Sequence, residues 1–153
     1  MKKGFTLIEL LVVMTIISVI LGLSTIAFQA SRKSARDTKR ISDLQQISSG
    51  LEIYRSDNGV YPGSYNPLTE TLSCSGGSTY LNTFSDPDST RNYVYVPGSS
   101  LSSTNDCSGT AGVTTYSLCA SLELPVSPLP SGSPCTTVSC GSGVTCNYEV
   151  DSP

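Results

Sequence analysis

From Phe5 to Phe28 the chain is an almost unbroken apolar run of 24 residues, and one charge, Glu9, interrupts it. A run of this length fits a membrane-crossing helix, which needs about 20 apolar residues. It exceeds the roughly 7 to 15 residues of a secretory signal core, and no Ala-x-Ala cleavage site follows it. A carboxylate inside such a segment costs about 2.5 to 3.5 kcal/mol near the bilayer centre, so it is a functional candidate by default. In a bundle of apolar helices Glu9 needs a partner, or it stays desolvated and unneutralised.

The residues around Glu9 are more specific than the run itself. Lys3-Gly-Phe-Thr-Leu-Ile-Glu-Leu10 resembles the processing site of type IV prepilins and pseudopilins, without a mismatch. The resemblance implies a dedicated prepilin peptidase that cuts between Gly4 and Phe5, followed by N-methylation of Phe5. It also implies that Glu9 pairs with the N-terminal ammonium of a neighbouring subunit during assembly, which would set the axial stagger of the helices. A second likeness covers residues 35–62, where Leu51-Glu-Ile-Tyr-Arg-Ser-Asp-Asn-Gly-Val-Tyr-Pro62 is similar to the helix end of major pseudopilins. The expected layout is a leader at 1–4, a transmembrane and filament-core helix at 5–28, an amphipathic continuation at 29–57 and a β-rich head at 58–153.

No proline lies between Phe5 and Asp57, so the helix is expected to run on past the apolar segment for about 80 Å, at about 1.5 Å per residue. Beyond it, Ile41, Leu44, Ile47, Leu51 and Tyr54 form a one-sided stripe for a head domain to cover. Asp57-Asn-Gly59 should end the helix, because Asn and Gly tolerate the left-handed conformation that closes helices, and Pro62 prevents its resumption. Gly22, Ser24 and Thr25 are the least helix-favouring cluster. Many type IV pilins have a proline in this stretch, where the helix melts in filaments; here a straight helix and a locally melted one both stay open.

Charge is unevenly placed. The formal net charge is −3, and loss of Lys2 and Lys3 takes it to −5. Arg32, Lys33, Arg36, Lys39 and Arg40 form a basic collar after the apolar run, whereas from Ile41 onward only Arg55 and Arg91 face ten acidic residues. An acidic head argues against nucleic-acid binding through phosphate contacts. By the positive-inside rule the collar would stay cytoplasmic, but the motif and the cysteines require the head outside. The collar is then expected either to face acidic residues of adjacent subunits or to be a solvated helical face.

The chain has no histidine. That excludes a Ser-His-Asp triad, a Cys-His pair and a His-Glu-x-x-His zinc helix, and there is no phosphate-cradling Gly-x-x-x-x-Gly-Lys loop. No enzyme is expected. Six cysteines (Cys74, Cys107, Cys119, Cys135, Cys140 and Cys146) all follow the helix. An even number in an exported, loop-rich domain reads as up to three disulfides, with 15 connectivities open. Their spacing lacks the paired Cys-x-x-Cys arrangement of a zinc site.

After Pro62, strands are expected at 92–97, 113–123 and 146–150. The second should pack Tyr116, Leu118, Ala120 and Leu122 on the helix stripe. The four-proline segment Leu124–Pro134 cannot be a central strand and is expected to cross the surface as an extended loop. Calcium prefers several oxygen ligands, and the resemblance makes Asp86 and Asp88 candidates for it, since major pseudopilins carry a calcium loop near the equivalent strand. Asp86-Pro-Asp-Ser89 also reads as an ordinary turn. No other cofactor is expected.

The fold class expected is therefore α+β: a long N-terminal helix packed against a small antiparallel sheet with disulfide-bonded loops. The function implied is a structural subunit that polymerises through its N-terminal helix into a type IV pilus-like filament. Its partners would be its own copies, the inner membrane before assembly, the prepilin peptidase and a pilus or secretion assembly machinery. It would be a single-pass precursor with the head outside, then a cell-surface filament. The alternatives are a pseudopilin of a type II secretion system and a minor pilin acting as a membrane-tethered binding module.

Overall fold

The computed structural model describes residues 4–74, 77–98, 107, 112–124 and 126–153, without the side chains of 23–27. Lys2 and Lys3 of the expected leader, Pro125 of the proline-rich segment and the side chains of Ser24 and Thr25 lie outside the described residues. Helix α1 spans Leu7–Asn58. Among the described residues seven short strands follow: β1 (Tyr61–Pro62), β2 (Leu72–Ser73), β3 (Thr79–Leu81), β4 (Val94–Pro97), β5 (Gly112–Val113), β6 (Tyr116–Ala120) and β7 (Tyr148–Asp151). The chain divides into two compact units, Met1–Ala35 and Arg36–Pro153. The second half of α1 thus belongs with the head.

The helix ends where the sequence says it should. Gly59 takes φ +80°, and its N–H donates to the Arg55 carbonyl at 2.7 Å. Asn58 Nδ2 donates back to the Tyr54 carbonyl at 2.9 Å. These bonds satisfy carbonyls that a helix C-terminus otherwise leaves open.

The buried positions of the second half of α1 are Asp37, Arg40, Asp43, Leu44, Ile47, Gly50, Leu51 and Tyr54. Steps of three and four residues place all of them on one face. The apolar part packs in one core with Tyr61, Tyr65, Leu72, Leu81, Tyr93, Tyr95, Val113, Tyr116, Leu118 and Ala120. Much of this core is tyrosine. Tyr61 and Tyr116 meet edge to face at 4.7 Å between ring centroids, and Tyr95 stacks on Tyr116 at 5.7 Å. Such geometries add about 0.5 to 1.5 kcal/mol per pair beyond area burial. Some of the hydroxyls find partners: Tyr95 donates to the Pro62 carbonyl at 2.6 Å and Tyr116 meets Ser48 Oγ at 2.9 Å.

The expected antiparallel sheet forms from β4, β6 and β7, and among the described residues two smaller two-stranded sheets accompany it. β4, β6 and β7 form an antiparallel sheet with β6 central, in register Tyr95–Leu118 and Leu118–Val150. β1 pairs with β5, and β2 with β3. The β2–β3 hairpin, absent from the sequence expectation, lies on the helix at Gly50. A Cβ there would stand 2.2 Å from Leu81 Cδ2, so the missing side chain makes room for Leu81.

β6 also departs from the expected one-sided strand, since all five of its residues are buried. Tyr116, Leu118 and Ala120 face the helix core as expected. On the other face, Cys119 joins Cys135, Cys140 and Cys146 in a second cluster, with Val94, Val96, Leu129 and Val138 against it. The disulfides are Cys74–Cys107, Cys119–Cys135 and Cys140–Cys146. The segment from Val126 to Ser133 has no helix or strand, and a short 3-10 turn at Pro134–Thr136 delivers Cys135 to β6.

Candidate functional site

Two places carry the features the sequence singles out, one in each unit. In the N-terminal unit, Gly4 and Phe5 precede the first helical residue and both are exposed, as a protease substrate requires. Helix α1 then presents its large apolar side chains from Phe5 to Leu21 to solvent, with exposures from 46% at Ile17 to 83% at Leu7. A continuous apolar surface of this kind marks an interaction site. The polar residues within it are turned onto their own backbone: Thr15 Oγ1 donates to the Val12 carbonyl and Ser18 Oγ to the Met14 carbonyl, both at 2.8 Å. Among the described residues no helix is long and apolar enough to cross a membrane; the apolar run continues through 23–27, whose side chains are not described.

Glu9 stands exposed on this surface, in the first turn of α1. No ion pair among the described residues involves it. Its position has a local meaning that the motif conceals. Thr6 and Glu9 have the spacing of a helix-starting capping box, and the Glu9 N–H donates to the Thr6 carbonyl at 3.2 Å. A carboxylate in a first turn also favours the positive end of the helix dipole, typically by about 0.3 to 1 kcal/mol.

The head unit opens on a charged cluster built from the collar. Arg40 is fully buried, and its Nε and Nη2 donate to the two Asp86 oxygens at 2.7 and 2.8 Å. Its Nη1 donates to Asp37 Oδ1 at 2.7 Å and to Glu123 Oε1 at 3.0 Å. Arg36 holds Glu123 from the other side, with Nε donating at 2.6 Å. Asp37 in turn accepts the backbone N–H groups of Glu123 and Leu124, at 2.9 Å each. Lys39 pairs with Asp43 at 2.7 Å, and the Tyr93 hydroxyl donates to the same carboxylate at 2.8 Å.

This geometry corrects the expectation for the collar. Arg36 and Arg40 pair with Glu123 and Asp86 of their own head, while Lys39, itself exposed, pairs with Asp43 one turn along the helix. Arg32 and Lys33 remain exposed, with the Arg32 guanidinium 4.4 Å over the Phe28 ring. The signal for this was present in the sequence. The helix stripe continues N-terminally through Arg40 and Asp37 at the same steps, and charges on a buried face need partners.

The cluster shifts its own titration. Burial works against the charge of Arg40, but hydrogen bonds from Asp86, Glu123 and Asp37 overcome it and raise its pKa. Hydrogen bonding to Arg36 outweighs burial at Glu123 and, with Arg40, brings its pKa down to about 2. Burial, then the hydrogen bond to Asp43, pushes Tyr93 upward. The folded Glu123 value lies below the ordinary 4.5, so the stability it contributes is complete above about pH 5 and disappears as pH falls through 4.5 towards 2. Urea midpoints should therefore fall between pH 5 and pH 3, and Glu123→Gln should flatten that part of the profile. A Gln variant with the wild-type slope would remove Glu123 from the account.

Asp86 and Asp88 are both engaged by groups of their own chain. Both Asp86 oxygens accept from Arg40, and Asp86 Oδ1 also takes the Asp88 N–H at 2.7 Å. Asp88 Oδ1 accepts the Thr90 N–H at 3.1 Å and the Thr90 hydroxyl at 2.8 Å. These local bonds make the turn and hold the Asp88 pKa below its ordinary value. Among the described residues no group of three acidic or cysteine side chains is placed to hold a metal ion.

Comparison with known proteins agrees with the N-terminal half of this description. Residues 1–25 match the family model for the prokaryotic N-terminal methylation motif. Similar proteins include type II secretion system core protein G of Pectobacterium carotovorum, 33% identical over 67 residues, or 44% of this chain and 43% of that one. The core protein G of Klebsiella pneumoniae is 28% identical over 83 residues, covering 54% and 59% of the two chains. That of Escherichia coli is 34% identical over 61 residues, covering 40% and 42%. The chain thus spans about half the length of the curated relatives it matches. No solved structure matches the chain significantly. In its methylation motif and the long helix that follows it, the chain is similar to the type IV pilins and pseudopilins.

Proposed function

We propose that the chain is a structural subunit that polymerises through its N-terminal helix, after removal of residues 1–4 by a prepilin peptidase and methylation of Phe5. The observation that carries this reading is the apolar side of α1 from Phe5 to Leu21, exposed on a single chain and bearing one carboxylate. Such a surface needs either lipid or other helices. The run to Phe28 supplies the first in the inner membrane, with the head outside, and the second in a filament, where packing and small residues such as Ser18 and Gly22 drive association.

Between a surface pilus and a short secretion filament, the names of the relatives favour the pseudopilus of a type II secretion system. The assembly machinery of that system would then be the partner. The geometry supports a positioning role for Glu9 towards a neighbour's N-terminal ammonium, since no ion pair among the described residues involves it.

Glu9→Gln separates the two stages. Expressed without wild-type subunits, the variant should enter the membrane fraction as well as wild type, because it removes an intramembrane charge. Its recovery in sheared filaments, seen by electron microscopy and quantified in the filament band, should fall at least tenfold. Wild-type filament yield would limit Glu9 to its local place in the first helical turn.

A further inference from the structure

The Arg40 cluster does something that neither the motif nor the filament reading requires. Four donations from one guanidinium reach three carboxylates: Asp37 on α1, Asp86 in the loop before β4, and Glu123 just after β6. Three distant parts of the chain are thereby tied at one buried, positively charged point. A divalent cation ties oxygen-bearing loops in the same way, by collecting carboxylates from separate segments around one charge. Arginine differs in being covalently resident, planar and permanently charged, with a fork that fits a carboxylate through two parallel bonds. Asp86 receives that bidentate fork.

We propose that Arg40 occupies, in this head, the place of a divalent cation: its guanidinium fastens the loop before β4 to the helix and to the end of β6, and the wild-type head takes no calcium there. The same carboxylates cannot serve both. Asp86 has neither oxygen free of Arg40, and a second cation beside a buried guanidinium would meet its charge at close range in a poorly screening interior. Removing the guanidinium would leave Asp37, Asp86 and Glu123 without the cation they share, in a place where no three acidic side chains among the described residues are set to hold a metal ion.

The test follows thermal unfolding of the full chain in detergent by the near-ultraviolet dichroism of its buried tyrosines, with calcium chloride or with chelator. The wild-type midpoint should be the same in both. Arg40→Ala should melt several degrees lower than wild type in chelator, or fail to show the folded tyrosine signal. Arg40→Lys, which keeps a cation but lacks the fork, should lose less and ignore calcium. The proposal is overturned if calcium raises the wild-type midpoint or shifts Arg40→Lys. It is equally overturned if Arg40→Ala melts like wild type in chelator, or if Arg40→Lys loses as much as Arg40→Ala. The readout is the unfolding of the subunit itself, so failure here leaves the polymerisation reading untouched.

Discussion

Replacing Cys119 and Cys135 together by alanine should lower the unfolding free energy of the head by about 2 to 5 kcal/mol. Both cysteines are fully buried, and the bridge closes a segment with a sequence separation of 16. That segment contains the proline-rich stretch, which lacks helix or strand from Val126 to Ser133. Without the bridge, little fixes it over the outer face of β6, and the cluster of Val94, Val96, Leu129 and Val138 loses its centre. The Cys140–Cys146 bridge closes a separation of only 6, so its removal should cost less under the loop-entropy account. Urea denaturation of both double variants, followed by the tyrosine signal, gives the comparison. A Cys119/Cys135 variant with the wild-type midpoint would show that β6 keeps its outer cover without the bond.

A second large effect is expected from a single methyl-rich side chain on α1. Ile47 is fully buried between Leu44 and Leu51 on the packed face, whereas Ile53 on the same helix is 57% exposed. Ile47→Ala should cost about 2 to 5 kcal/mol, because it removes buried area and leaves a cavity that the surrounding tyrosines can fill only in part. Ile53→Ala should stay within about 0.5 kcal/mol. Helix propensity changes identically in the two variants, so the difference reports packing alone. Equal midpoints would mean that the head does not depend on this face of the helix.

That contrast also shows what could be read from the chain before its fold was known. The stripe of Leu44, Ile47, Leu51 and Tyr54 follows from periodicity, and its end follows from Asn58 and Gly59, because both signals are local. The stripe's first two positions were misjudged since Asp37 and Arg40 are charged, and charge on a helix ordinarily means solvent. Their partners are remote: Asp86 lies 46 residues from Arg40, and Glu123 lies 83. No spacing rule links such positions. Cysteine parity announced oxidised pairs but not their connectivity, which depends on where β6 and the 3-10 turn bring Cys119 and Cys135. The β2–β3 hairpin escaped notice because strands of two and three residues carry no alternation to detect. Asp86, a candidate calcium ligand with Asp88 by residue type and by resemblance, accepts both arms of the Arg40 fork, a contact that no local pattern announces.

The Arg40 cluster has a mechanical meaning as well. Tension carried along α1 reaches the head where the chain passes Arg36, so the first bonds between helix and head to bear load are those of Arg36, Asp37 and Arg40. Asp37 grips two consecutive backbone N–H groups, Arg40 grips three carboxylates, and Arg36 grips Glu123. Sliding the helix past the head would break these bonds in parallel, not one after another. Bonds loaded in parallel share the force; each is charge-assisted, and those of the fully buried Arg40 are shielded from competing water. The apolar stripe beneath them resists separation but offers little friction to sliding. The charged end of the stripe therefore acts as the shear pin of the subunit, placed where traction on a polymer of such helices would first be felt.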